Sequence, residues 1–139
     1  MTIRNIRRIA PETRLSGAVV HNMTVFLAGQ VADDPAADAE GQTADILRQI
    51  DALLREAGTD KTFLLSVQIY LADMADFPAV NRAWDVWLDP RHKPARATVE
   101  ARLADPAWRV EITGIAALPP VLPRPAQPSE SQYLSLIHI

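Results

Sequence analysis

The sequence predicts an α+β domain with two helices covering one face of a mixed β-sheet, in the order β-β-β-α-β-α-β-β. Three observations predict it. Lys93 to Leu103 alternates without a break, with Ala95, Ala97, Val99, Ala101 and Leu103 apolar and Arg96, Thr98, Glu100 and Arg102 polar. That is the period-two pattern of a strand with one buried and one polar face. Glu40 to Ala57 repeats at helical spacing instead: Ile46, Leu47, Ile50, Leu53, Leu54 and Ala57 form one stripe, with Asp45, Arg48, Gln49, Asp51 and Arg55 outside it. The chain has 139 residues and is 48 % hydrophobic, the size and composition of one domain with one core.

The elements follow in order. Ile3 to Ile9 reads as a first strand, interrupted by Pro11-Glu12-Thr13. Ala18 to His21 and Val25 to Gln30 read as two strands joined by a short hairpin link, because Asn22 tolerates left-handed backbone angles. Val31 to Ala39 contains Asp33-Asp34-Pro35 and reads as a loop. The first helix ends at Gly58, a C-terminal cap. Phe63 to Ala72 is a strand, and Asp76 caps a second helix that tolerates Pro78 in its first turn. Phe77, Val80, Trp84, Trp87 and Leu88 form the apolar stripe of that helix, and Asp89-Pro90 stops it. The alternating strand comes next, then a turn at Ala104 to Ala107, then a last strand from Trp108 to Leu118. The uncovered face of the sheet also needs burial, which self-association supplies most simply.

Beyond Leu118 the character changes. Five of the 11 prolines fall between Pro119 and Pro128, a pattern that cannot pair into a sheet. Residues 1–118 therefore read as the domain and 119–139 as a Pro-rich, disordered tail. Its last residues, Tyr133 to Ile139, are apolar, unrelated to the domain and read as non-native.

Composition removes several function classes. Net charge is −3, so no basic field draws the chain to nucleic acid or anionic lipid. With no cysteine there is no disulfide, thiolate nucleophile or cysteine-held zinc. His21, His92 and His138 lack metal-ligand spacing, and no phosphate-binding glycine loop or G-x-S-x-G turn occurs. No cofactor is expected. Neither a secretory leader nor a membrane span is read, and the expected location is cytoplasmic.

Two side chains on polar strand faces are the best candidates for chemistry, Arg96 and Glu111. If Leu103 pairs with Trp108 across the turn, Glu100 faces Glu111 and Arg102 faces Arg109, two unfavourable like-charge pairs. Either a bulge shifts that register or these side chains answer to partners outside the hairpin. Arg96 then lies roughly 13 Å along from Glu111, which suits the two ends of a small zwitterionic or imino-acid ligand. A solvated polar face is the commoner meaning of such residues. Gly29 reads equally as a site of close ligand approach or as a strand bulge.

In their order and spacing, several segments resemble the RidA/YjgF family of enamine/imine deaminases over about residues 3–118. They are Leu27-Ala28-Gly29-Gln30, Gln42-Thr43 opening a helix that ends in Ala57-Gly58, Asp76-Phe77 with Asn81, Pro94-Ala95-Arg96, and Val110-Glu111-Ile112 with Ala116. The resemblance implies a chorismate-mutase-like fold and a homotrimer with clefts between subunits. It also implies hydrolysis of 2-aminoacrylate-type enamines and 2-imino acids to 2-keto acids and ammonia, without metal or organic cofactor. By position, Arg96 would bind the substrate carboxylate and Glu111 would position or activate water. Gly29 would contribute a backbone contact, and Asn81 and Thr98 would line the cleft. Leu15, Ser16 and Ala28 occupy the remaining substrate-binding positions. Where the archetype reads Pro-Tyr-Ser-Gln-Ala this chain has Arg14-Leu15-Ser16-Gly17-Ala18, and Ser-Gly-Gln has become Ala28-Gly29-Gln30. Those departures make a non-catalytic binder of small carboxylate metabolites, or a regulatory protein, the alternative.

Overall fold

The computed structural model describes residues 5–120; the first four residues and almost all of the Pro-rich tail lie outside it. Its elements are β1 (Arg7–Pro11), β2 (Ser16–His21), β3 (Thr24–Gln30), α1 (Ala39–Ala57), β4 (Leu64–Leu71), α2 (Phe77–Trp87), β5 (Ala95–Glu100) and β6 (Val110–Ala117). The strands form one six-stranded sheet in the order β1-β2-β3-β6-β4-β5. Only β4 and β5 are parallel; every other pair is antiparallel. This is the expected chorismate-mutase-like α+β order, with both helices on one side.

Local chemistry explains the boundaries. Asp38 caps α1 by accepting from the Gly41 N–H at 2.8 Å, and Gly58 closes it in the left-handed region at φ 95°. Arg7 of β1 donates to the carbonyl of Glu56 at 2.6 Å, which places a cation at the negative end of α1 and ties the edge strand to it. Asn22 and Met23, both at positive φ, make the two-residue turn between β2 and β3. Asp76 departs from its expected role: its side chain makes no cap bond to α2. Its Oδ2 accepts instead from Arg109 at 3.3 Å, while Asp73 caps the short turn before α2 by accepting from the Ala75 N–H.

The core lies between the sheet and α1. Ile46, Leu47, Ile50 and Leu54 meet Val25, Val67, Ile69, Leu71, Val110 and Ile112, all fully or almost fully buried. Buried among them, Gln42 uses its whole amide. Its Nε2 donates to the carbonyls of Pro35, Ala37 and Ala107, and its Oε1 accepts from the Arg109 N–H at 2.9 Å. One side chain thus fixes the loop before α1 and the start of β6 to the helix.

The predicted hairpin between the last two strands does not form. β4 lies between them: β5 pairs with it parallel, Val67 opposite Arg96, and β6 antiparallel, Tyr70 opposite Glu111. Glu100 therefore faces Leu71 rather than Glu111, and its carboxylate accepts from the Met74 N–H at 2.9 Å. Arg102 lies in the loop after β5 and does not face Arg109. The alternating segment is also shorter as a strand, ending at Glu100 rather than Leu103. Its polar side, not its apolar side, turns toward the helices, because Arg96 and Thr98 sit opposite buried Val67 and Ile69. Ala95, Ala97 and Val99 lie on the open side. That side also shows Phe26 (46 % exposed) and Ile115 (37 %), cross-strand neighbours, and Val99 is 49 % exposed.

Replacing Gln42 by leucine strands three carbonyls and an amide at half-buried positions. The expected loss is about 2–4 kcal/mol of unfolding free energy, read by urea denaturation. A loss below about 1 kcal/mol would show that water replaces those bonds.

Candidate functional site

The candidate residues gather in two places. The first is where β5 meets α2. Arg96 projects over the α2 aromatics, its guanidinium carbon 5.1 Å from the Trp84 ring centroid and 5.7 Å from that of Phe77. Among the described residues no carboxylate or carbonyl accepts from it. Thr98 lies two residues along the same side of β5; its hydroxyl is buried and has no hydrogen-bond partner among the described residues. Asn81 follows Phe77 by four residues and precedes Trp84 by three, so helical spacing puts it on their face of α2, half-buried. Arg96 and Thr98 thus share the α2-facing side of β5, and Asn81 shares the α2 face of the two rings under Arg96.

The second place is an open cleft of about 700 Å³ at the end of β3. Leu15, Gly29 and Glu111 line it, together with Glu12, Gln30, Gln49 and Trp108. β3 carries a register shift between Leu27 and Gln30 against β6. The bulge reading of Gly29 holds here, and the close approach at this residue is that of the chain's own Glu111 side chain. A Cβ at that position would sit 2.3 Å from Glu111 Oε2 and 2.9 Å from its Cδ. The absent side chain is the space the Glu111 carboxylate occupies. Ser16, opposite Pro11, and Ala28, within the bulge, do not line this cleft.

The two places do not meet within one chain. Glu111 is aligned through Tyr70 with Val99, so its Cα is two strands across and three residues along from that of Arg96, roughly 14 Å. Glu111 alternates with Val110 and Ile112, which are buried under the helices, whereas Arg96 lies over α2. The end-to-end spacing expected from a hairpin survives, but Glu111 lines the cleft at the end of β3 whereas Arg96 stands over the α2 rings.

Sequence reasoning missed several neighbours. Phe77 and Trp84 read as core residues; their spacing from Asn81 was the available signal that they share its face. Trp108, Gln49 and Glu12 gave no signal, because only folding brings the end of β1, the entry to β6 and the middle of α1 to one cleft. In the turn before β5 the Arg91 N–H donates to Asp89 and holds its carboxyl below the ordinary carboxylate value, with His92 and the Arg91 charge adding to the effect against some desolvation. Among the described residues no group of three or more His, Asp and Glu side chains could hold a metal ion, and no helix is long and apolar enough to cross a membrane.

A six-stranded sheet of this order with two helices on one side defines a chorismate-mutase-like α+β protein. A family model described as Endoribonuclease L-PSP matches residues 5–118, and the chain belongs to that family, the RidA/YjgF family. A RutC family protein of Haemophilus influenzae is 48 % identical over 112 residues, covering 80 % of this chain and 97 % of its own length. The RutC family protein YoaB of Escherichia coli K12 is 46 % identical over 113 residues, covering 81 % and 98 %. The crystal structure of a YjgF family member from Neisseria meningitidis superposes with a TM-score of 0.81 at 45 % identity, over 84 % of this chain and 98 % of that one.

Gly29→Ala should keep the fold but drive the Glu111 carboxyl aside, since roughly 1 Å must be gained to restore ordinary contact. A crystal structure of the variant should show Glu111 in another rotamer. An unmoved Glu111 would mean that β3 yields instead.

Proposed function

We propose that the chain hydrolyses 2-imino acids and their enamine tautomers to 2-keto acids and ammonia, at sites completed by neighbouring copies in a homotrimer. One observation carries this reading: a chain with two half-sites that it cannot join by itself. Arg96, with Thr98 and Asn81, offers a fixed cation for a carboxylate; Glu111, over Gly29, offers a carboxylate at a cleft that can admit water. The exposed Phe26, Val99 and Ile115 supply apolar surface for an interface between copies.

The chemistry asks little of the protein. An imine carbon is already electrophilic, so binding the substrate carboxylate at Arg96 supplies orientation. Glu111 as general base takes a proton from water as its oxygen attacks the imine carbon, giving a tetrahedral carbinolamine. Glu111 returns that proton to the imine nitrogen to complete the carbinolamine, then takes the hydroxyl proton and passes it to nitrogen, so that ammonia leaves as the C=O forms. Leu15 and Trp108 give the Glu111 cleft apolar walls for the substrate side chain. The net charge of −3 argues against nucleic acid as the substrate.

Imines generated in situ by an amino-acid oxidase test the reaction through the rate of keto-acid release. Arg96→Ala and Glu111→Gln should each lower kcat/KM by about a hundredfold or more. Wild-type rates equal to buffer for several side chains would remove the reading. Mixed assembly tests the geometry. Trimers formed at random from equal amounts of the two inactive variants hold both functional residues at about one quarter of their sites, and should regain about that fraction of activity if each site draws Arg96 and Glu111 from different chains. No recovery from mixed trimers would place both residues of a site in one chain.

A further inference from the structure

The aromatic pair beneath Arg96 does nothing in the reaction as described, yet it is the only thing in the described chain that holds that guanidinium. Both rings lie within the roughly 6 Å reach of a cation–π contact. Trp84 is itself anchored. It is buried in the core and lies against Trp87, ring centroids 5.4 Å apart. Trp87 is pinned in turn by its indole N–H to Asp51 at 2.9 Å, with the Lys61 ammonium 5.0 Å from its ring centroid. A rigid set of contacts thus runs from α1 to Arg96.

We propose that Trp84, assisted by Phe77, is a positioning residue that presets the Arg96 guanidinium for a substrate carboxylate. The chemistry of the contact explains why a ring stands where an acid could. Arg109 and Arg82 are held by Asp76 and Glu40, partners that occupy their donors and offset their charge. A π face attracts the cation but accepts none of its in-plane N–H bonds, so the fork keeps its donors and charge for a ligand. The Thr98 hydroxyl, two residues along the same side of β5, is a second polar group left without a partner among the described residues. The catalytic consequence rests on the deaminase reading; the effect on carboxylate binding does not.

The test therefore reads binding without turnover. Pyruvate is titrated by calorimetry into the wild-type protein and into Trp84→Leu, Trp84→Phe, Phe77→Leu and Arg96→Lys. The Arg96 Nε–H signal, assigned by its loss in Arg96→Lys, is followed by nitrogen-15 NMR. A ring-current shift of that signal is expected in the wild-type protein and lost in Trp84→Leu. The pyruvate Kd should rise about five- to tenfold in Trp84→Leu and a few-fold in Phe77→Leu, and Trp84→Phe should recover most of the affinity. With imine substrate, KM should rise by similar factors while kcat stays within about twofold. Phe77 is only half-buried, so Phe77→Leu carries the test if Trp84→Leu fails to fold. An unshifted Arg96 signal, unchanged pyruvate affinity in a folded variant, or a wild-type protein that does not bind pyruvate overturns the proposal. Pyruvate binding that depends on Trp84, in a protein that turns over no imine, would sink the deaminase reading and leave the positioning role standing.

Discussion

Where β6 lies decides what this chain can do. The α2 crossover makes β4 and β5 parallel and sends β5 to the rim of the sheet. β6 then runs antiparallel to both β3 and β4 and closes the gap between the two halves of the chain. Val110, Ile112 and Ala116 of β6 are fully buried, so this long-range pairing is also a spine of the core. The arrangement puts Glu111 at the centre of the sheet beside the β3 bulge and Arg96 on its edge over α2. Gln42 holds the entry to β6 from the helix side, so the packing that fixes the fold also fixes where the central carboxylate stands.

The sequence carried the order of elements because each is set by local chemistry. The 3.6-residue stripe of α1, its Gly58 end, and the Asn22-Met23 turn are decided within a few residues, and they agree with the structure. Pairing is not decided locally. Period two gives a strand its sides but not its neighbour, and Glu100 and Val110 lie close enough in sequence to pass for two arms of a hairpin. The like-charge clashes of that register were the informative sign. Glu100 and Arg109 do answer to partners elsewhere, the Met74 N–H and Asp76. A register that sets glutamate against glutamate and arginine against arginine is better taken as two strands that never touch.

The site was legible to the same degree. Arg96 does meet α2 through Phe77 and Trp84, and Gly29 does meet Glu111, each by contacts that join distant parts of the chain. Composition could not show that Phe77 and Trp84 serve two neighbours at once. Their inner surfaces meet the core and count as apolar stripe, while their ring faces meet a cation that hydropathy scores as exposed. Nor could it show that the expected inward face of β5 is the outward one. Ala95, Ala97 and Val99 look like core residues because they are apolar, yet at a sheet edge with helices on the other side they are left exposed among the described residues.

That inversion ties association to chemistry. One strand of six residues carries small apolar side chains on its open side and Arg96 and Thr98 on the other. In the proposed trimer a copy docked against the open face would rest on Ala95 and Ala97, whose short side chains permit close backbone approach. The Cβ positions of alternate residues on such a strand are fixed relative to one another by the pleat. Any shift of the docked copy along β5 would therefore move its Glu111 relative to Arg96 by about the same distance, and a one-residue slip of about 3.3 Å exceeds the tolerance of a proton transfer. A site divided between chains in this way demands a unique interface register, and the bulge at Gly29 and the parallel pairing of β5 with β4 are the features of this sheet that would specify one.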